Sequence, residues 1–312
     1  MFTALAALFI GAGVLAVAAD QFVIGAARVA LIKQVPALVV GIVVVGFGTS
    51  APELLVSVLA VVGDEPEVAI GNIVGSNIAN LSLLLGVGAL LVPLAVDSRT
   101  VRREAMLVVA ATVGFGLAVQ GGGIGRIAGV GLLAAMVAVL VVVIRTSTDD
   151  PLGTDVIEFS DTTEHRLARE TGRLVIGLAG TLGAAQLLLW GAIDLADRAG
   201  LSGGFVGATL VAVGTSLPEL VTVVQSARRS ETDLIVGNLL GSNLFNALVA
   251  GGVVGLIGGP RIDNQSLTAV AVIASIAVAC LAALAMRSSY VVSRREGIIL
   301  VAAYAVVVPL LM

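Results

Sequence analysis

A chain of 312 residues that is 58% hydrophobic and 12% charged, with 38 glycines and a mean hydropathy of +1.09, cannot keep a water-facing surface along most of its length. Its 17 basic and 21 acidic residues leave a net charge of -4, which excludes the basic surface that nucleic-acid binding requires. The composition is that of an all-α integral membrane protein, since long apolar runs without period-two alternation leave helices as the spanning structure.

Runs long enough to span, at about 20 residues each, fall near 2–31, 36–62, 67–95, 104–123, 126–145, 172–197, 203–227, 233–259, 265–286 and 296–312, predicting about ten transmembrane helices. Ala16-Val17-Ala18 in the first run has the form of a signal-peptidase site. No basic residue precedes it, and an internal repeat continues through it, so the segment is expected to remain as the first helix. The repeat has an offset of 166 residues: Glu53 falls on Glu219, Gly71 on Gly237, Ser76 on Ser242 and Asn80 on Asn246, and "AADQFVIGA" at 18–26 falls on "AAQLLLWGA" at 184–192. Five helices per half is an odd number, so the second half must enter from the opposite side. The prediction is two inverted five-helix repeats, 1–145 and 172–312, joined by a linker loop at 146–171. Inverted repeats are the architecture of secondary transporters, with the substrate near the midplane.

Fourteen basic residues lie in or beside the loops after odd-numbered helices, and three, Arg126, Arg198 and Arg261, lie on the other side. By the positive-inside rule both termini face outward in the cell membrane and loop 146–171 is cytoplasmic.

The second run of each half carries G-T-S-x-P-E, as Gly48 to Glu53 and Gly214 to Glu219. A lone carboxylate at the bilayer centre costs from roughly 3 to more than 10 kcal/mol, so each needs a reason. On a helix, Thr49 and Ser50 share a face with Glu53, as Thr215 and Ser216 do with Glu219. Pro52 and Pro218 remove a backbone N–H and push back the preceding turn, freeing carbonyls near Gly48 and Gly214. The third run of each half carries G-N-x-x-G-S-N-x-x-N, from Gly71 to Asn80 and from Gly237 to Asn246, and adds Ser76, Asn80, Ser242 and Asn246. Glycines 71, 75, 237 and 241 permit close helix packing or a local break. Carboxylate, hydroxyl, amide and carbonyl oxygens are what hard cations take.

These doubled motifs resemble the alpha repeats of the sodium/calcium exchangers in the cation/calcium antiporter superfamily, and the resemblance covers nearly the whole chain. It implies alternating access at one central site that exchanges calcium for sodium. By position it implies a ligand set of the Gly46 carbonyl, Thr49, Ser50, Glu53, Ser76 and Asn80, with the Ala212 carbonyl, Thr215, Ser216, Glu219, Ser242 and Asn246. Asn246 departs from the pattern, since well-described sodium/calcium members have an aspartate there. The implied partners are calcium and sodium ions and the lipid bilayer. No cofactor, enzymatic centre or obligate protein partner is expected.

Plainer readings stand beside these. The two glutamates could be a hydrogen-bonded pair of protonated acids, and the serines and asparagines could be interhelical glue. Asp20 has Gln186 as its repeat partner, which favours a structural role over a symmetric ligand role. The linker holds seven acids from Asp149 to Glu170 without EF-hand spacing, and His165 within it reads as solvated. Cys280 is alone, so it forms no disulfide within the chain. A channel would need an uninterrupted pore, which a midplane site in an inverted repeat does not provide. A proton-coupled calcium antiporter remains open beside the sodium-driven one; hydroxyl and carbonyl ligands favour sodium, because a proton needs only the carboxylate.

Overall fold

The structure, a computed structural model, describes residues 2–33, 48–96, 101–120, 122–146, 167–230, 232–258, 262, 264 and 266–311. The described chain is a bundle of apolar helices. The first half contains α1 (Phe2–Ile32), α2 (Ala51–Val62), α3 (Pro66–Ile78, continued by Ala79–Leu84 and Leu85–Leu91), α4 (Met106–Val119, preceded by the π-helical turn Val101–Ala105) and α5 (Arg126–Thr146). The second contains α6 (Leu167–Ala199), α7 (Gly203–Val206, continued by Gly207–Val211 and Ala212–Thr215), α8 (Leu217–Arg229) and α9 (Thr232–Phe245, continued by Asn246–Ala250 and Gly251–Ile257). It ends with α10 (Ser266–Ala271 and Val272–Ser289) and α11 (Arg294–Leu310). Two short strands, β1 (Leu94–Ala95) and β2 (Val291–Val292), pair antiparallel and tie the exit of α3 to the start of α11.

Among the described residues, six helices are long and apolar enough to cross a membrane, or seven if the bent pair α7–α8 is one span. Large apolar side chains such as Phe9, Ile10, Leu117, Ile127 and Ile273 face outward, as lipid contact requires. The centre belongs to α3 and α9, whose spans are 83% and 72% buried, whereas α5 at 17% is peripheral.

The repeat is visible in the backbone. The π-helical stretches Ala79–Leu84 and Asn246–Ala250 coincide under the 166-residue offset, as do Val101–Ala105 and Ser266–Ala271. In the first pair the Asn80 carbonyl accepts from Leu85 N–H and the Asn246 carbonyl from Gly251 N–H, the same five-residue step in both halves. Glycine contacts reveal the relative direction. Gly11 lies against Leu188 and Gly25 against Leu174, so α1 and α6 run antiparallel. Their repeat partners reciprocate, with Gly177 on Phe22 and Gly191 on Ala4 and Leu8. A Cβ at any of these four glycines would meet opposing backbone at 2.5–2.9 Å, so the approach is available to glycine alone.

Glycines 71 and 75 serve packing rather than a break. They let α3 press onto α7 at Gly204, Gly207 and Ala208, and α3 continues unbroken past them. α6 begins five residues earlier than the sequence suggests. The charges at its start are anchored, since buried Glu170 pairs with Arg28 of α1 at 3.6 Å and with Arg173 at 3.3 Å. The remainder of linker 146–171 before Leu167, including His165, lies outside the described residues but for Thr146. Asp20 is on the exposed face of α1 and accepts from Gln21 Nε2 at 2.9 Å.

Candidate cation site

Both G-T-S-x-P-E motifs form interruptions rather than helical faces. Gly48, Thr49 and Ser50 make a turn, Ser50 (φ -90°, ψ 6°) precedes α2, and Pro52 occupies its first turn. In the second half Ser216 (φ -84°, ψ 11°) separates α7 from α8, which meet at 44°, with Pro218 in the first turn of α8. In the second half the ring of Pro218 displaces the carbonyl one turn back and ends α7. Glu53 and Glu219 consequently fall in first turns, where the positive end of a helix favours an anion. The Gly48 carbonyl is not left free: the turn tightens and it accepts from Ala51 N–H at 3.2 Å.

Because the chain breaks, the serines do not serve the glutamate of their own motif. Ser50 Oγ donates to Glu219 Oε1 at 3.2 Å, and Ser216 Oγ donates to Glu53 Oε1 at 3.0 Å. The threonines also cross: Thr49 Oγ1 donates to Asn238 Oδ1 at 3.3 Å and Thr215 Oγ1 to Asn72 Oδ1 at 3.2 Å. Ser242 adds a long bond to Glu219 Oε1 at 3.4 Å. Every residue in this exchange except Thr49 and Asn238 is buried. The two motifs thus close on each other as one structure.

Asn72, Ser76 and Asn80 are spaced by four and occupy one face of α3, and Asn238, Ser242 and Asn246 do so on α9. The bonds from Asn72 and Ser242 turn those faces toward the glutamates. On these faces the polar atoms are under-satisfied. Glu53 Oε2, Glu219 Oε2, Ser76 Oγ and both amide ends of Asn80 and Asn246 are buried with no hydrogen-bond partner among the described residues. Each orphaned buried group costs about 1–3 kcal/mol, more when charged. Such a set of carboxylate, hydroxyl and amide oxygens, with no water-exposed member among them, is suited to a hard cation taking six to eight oxygens. The described residues contain no group of three His, Cys, Asp or Glu that could hold a metal, so the charge available to a cation here is that of two carboxylates.

Of the remaining candidate positions, the Ala212 carbonyl accepts from Ser216 N–H at 3.0 Å and from Thr215 Oγ1 at 3.1 Å, and Gly46 lies outside the described residues. Sequence reasoning did not single out Asn72, Asn238 or Ser57. The available signal was the first asparagine of G-N-x-x-G-S-N, which recurs at the 166-residue offset. At the α2–α3 turn, outside the spans, partial burial and the neighbouring carboxylates of Asp197, Asp64 and Glu67 hold the Glu65 carboxyl above its ordinary value, so this turn concentrates negative charge.

The chain matches the sodium/calcium exchanger protein family over residues 3–145 and 170–312. It is 35% identical to CaxA of Alkalimonas amylolytica over 95% of both chains, and 27% identical to the sodium/calcium exchanger MaX1 of Methanosarcina acetivorans, also over 95% of both. A solved structure of the sodium-calcium exchanger NCX_Mj aligns with a TM-score of 0.67 and 28% identity, covering 98% of this chain and 97% of that one. With the family match running through both halves, and an oxygen-rich motif pair in each, this multi-pass membrane protein belongs to the sodium/calcium exchanger family of cation/calcium antiporters.

Proposed function

We propose that the protein exchanges calcium for sodium by alternating access at a single midplane site to which both repeats contribute. The carrying observation is the reciprocal hydrogen bonding of the two motifs, Ser50 to Glu219 and Ser216 to Glu53, with one buried, unpartnered oxygen left on each carboxylate. The ligands are Thr49, Ser50, Glu53, Ser76 and Asn80 with Thr215, Ser216, Glu219, Ser242 and Asn246, together with the Gly46 and Ala212 carbonyls. Two carboxylates balance one calcium or two sodium ions. A third sodium would leave one excess positive charge in a low-dielectric site, carried by the amide dipoles of Asn80 and Asn246 and by water. Sodium as the coupling ion is supported by the hydroxyl-rich ligand set and by the names of MaX1 and NCX_Mj. In proteoliposomes at fixed pH, calcium efflux should stop when external sodium is replaced by choline. Undiminished efflux in choline, abolished instead by collapsing a pH gradient, would reject sodium coupling. Sodium-driven exchange that ignores membrane voltage would reject a three-to-one ratio.

The arrangement proposed is ten transmembrane helices in two inverted five-helix repeats, 1–145 and 172–312, with 146–171 as cytoplasmic linker and both termini outside. The antiparallel packing of the repeat-related helices α1 and α6 supports the inversion. The basic-residue asymmetry supports the orientation. With Cys280 replaced by Ala, Asp64→Cys should react with a membrane-impermeant thiol reagent from outside intact cells, and Arg228→Cys only after permeabilisation. Labelling of both from the same side overturns the topology.

A further inference from the structure

Two of the hydrogen bonds between the halves join a threonine of the ligand set to an asparagine outside it: Thr215 to Asn72 and Thr49 to Asn238. A hydroxyl oxygen coordinates a cation through its lone pairs, so its proton has to be received elsewhere. Asn72 Oδ1 receives that of Thr215, and Asn238 Oδ1 that of Thr49. Thr215 also has an alternative acceptor, the Ala212 carbonyl at 3.1 Å. When Asn72 takes the proton, that carbonyl keeps a lone pair for the ion; when it does not, the hydroxyl fills it.

The two amides are held differently. Asn72 Nδ2 donates to the Glu53 carbonyl at 3.1 Å and to Ser57 Oγ at 2.9 Å, which fixes the end of the amide that meets Thr215. The residue repeat-related to Ser57 is Val223, which offers no acceptor. Asn238 Nδ2 is buried and has no hydrogen-bond partner among the described residues. One side of the site is therefore preorganised and the other is free to turn.

We infer that Asn72 and Asn238 are positioning residues that take the threonine protons of the opposite repeat, and that Ser57 makes the Asn72–Thr215 side rigid while Val223 leaves the Asn238–Thr49 side adjustable. This rests on the cation site proposed above. The test is calcium uptake by the full chain in proteoliposomes, read as half-saturating calcium concentration and maximal rate, after size-exclusion chromatography confirms folding.

Asn72→Leu should raise the half-saturating concentration about fivefold to tenfold, equivalent to about 1–1.4 kcal/mol, with the maximal rate altered less than about twofold. In a Thr215→Val background the same change should add nothing, because its route of action is already gone. Val223→Ser should lower the half-saturating concentration about twofold to threefold by giving Asn238 Nδ2 an acceptor. Where Asn72→Leu fails to fold, Ser57→Ala carries the test, with an expected rise of about twofold to threefold that Thr215→Val likewise abolishes. Effects of Asn72→Leu and Thr215→Val that multiply, or a fall in maximal rate alone, would reduce Asn72 to a fastening between helices and overturn the inference. Normal calcium uptake by Glu53→Gln would instead remove the cation site itself, a separate failure that these variants do not produce.

Discussion

Glu53→Gln and Glu219→Gln should each lower calcium uptake at least about 100-fold, equivalent to about 2.7 kcal/mol, with the protein expected to remain folded and monodisperse. The amide keeps the shape of the side chain. Its carbonyl can still accept the serine proton from the opposite repeat, Ser216 for Glu53 and Ser50 for Glu219. What is lost is charge. A calcium ion between two carboxylates is locally neutral, whereas beside one carboxylate and one amide it leaves a net positive charge in a medium where such charge is poorly screened. Loss should be similar for the two variants, because the two glutamates occupy equivalent first-turn positions and each is bound by the other motif's serine. Normal uptake by either purified variant removes that glutamate from the site.

Gly75→Ala should be among the most damaging single-methyl additions in the chain, and it should damage stability as well as transport. A Cβ at position 75 would stand 2.5 Å from Ala208 Cα and 2.6 Å from its carbonyl carbon, with the carbonyl oxygen closer still. The obstacle is backbone, so no rotamer change relieves it, and α3 and α7 must separate. Overpacking of this kind costs about 1–3 kcal/mol and occasionally more. Separation here also pulls Asn72 on α3 away from Thr215 at the end of α7. The control is Gly13→Ala on α1, where a Cβ meets nothing within 4 Å among the described residues. Thermal unfolding in detergent should show a clear drop for Gly75→Ala and none for Gly13→Ala. Equal behaviour of the two variants would contradict the close α3–α7 approach.

The helical class, the repeat and most of the helix limits were legible because lipid imposes long apolar runs and because the offset of 166 residues keeps its register from Ala18 to Asn246. The candidate ligands were legible for the same reason, since polar residues in those runs have few other uses. Partnership between them was not. An offset says which residues are equivalent, not which touch, and helical spacing assigned Ser50 to Glu53 when the break before α2 sends it to Glu219. Asn72 and Asn238 were hidden by the same limit: their partners are threonines 143 and 189 residues away, brought close only by the meeting of the two halves. The early start of α6 was missed because Glu170 read as a loop charge, whereas Arg28 on α1 gives it a partner.

In the function proposed, the two halves make one cation site between them rather than one each. Equilibrium dialysis of the purified wild-type chain against radioactive calcium tests it, with the number bound per chain as the readout. A shared site should bind one calcium per chain, displaced by sodium and lost altogether when either Glu53 or Glu219 is replaced by Gln. Two calcium ions per chain, with each replacement removing only one, would contradict it.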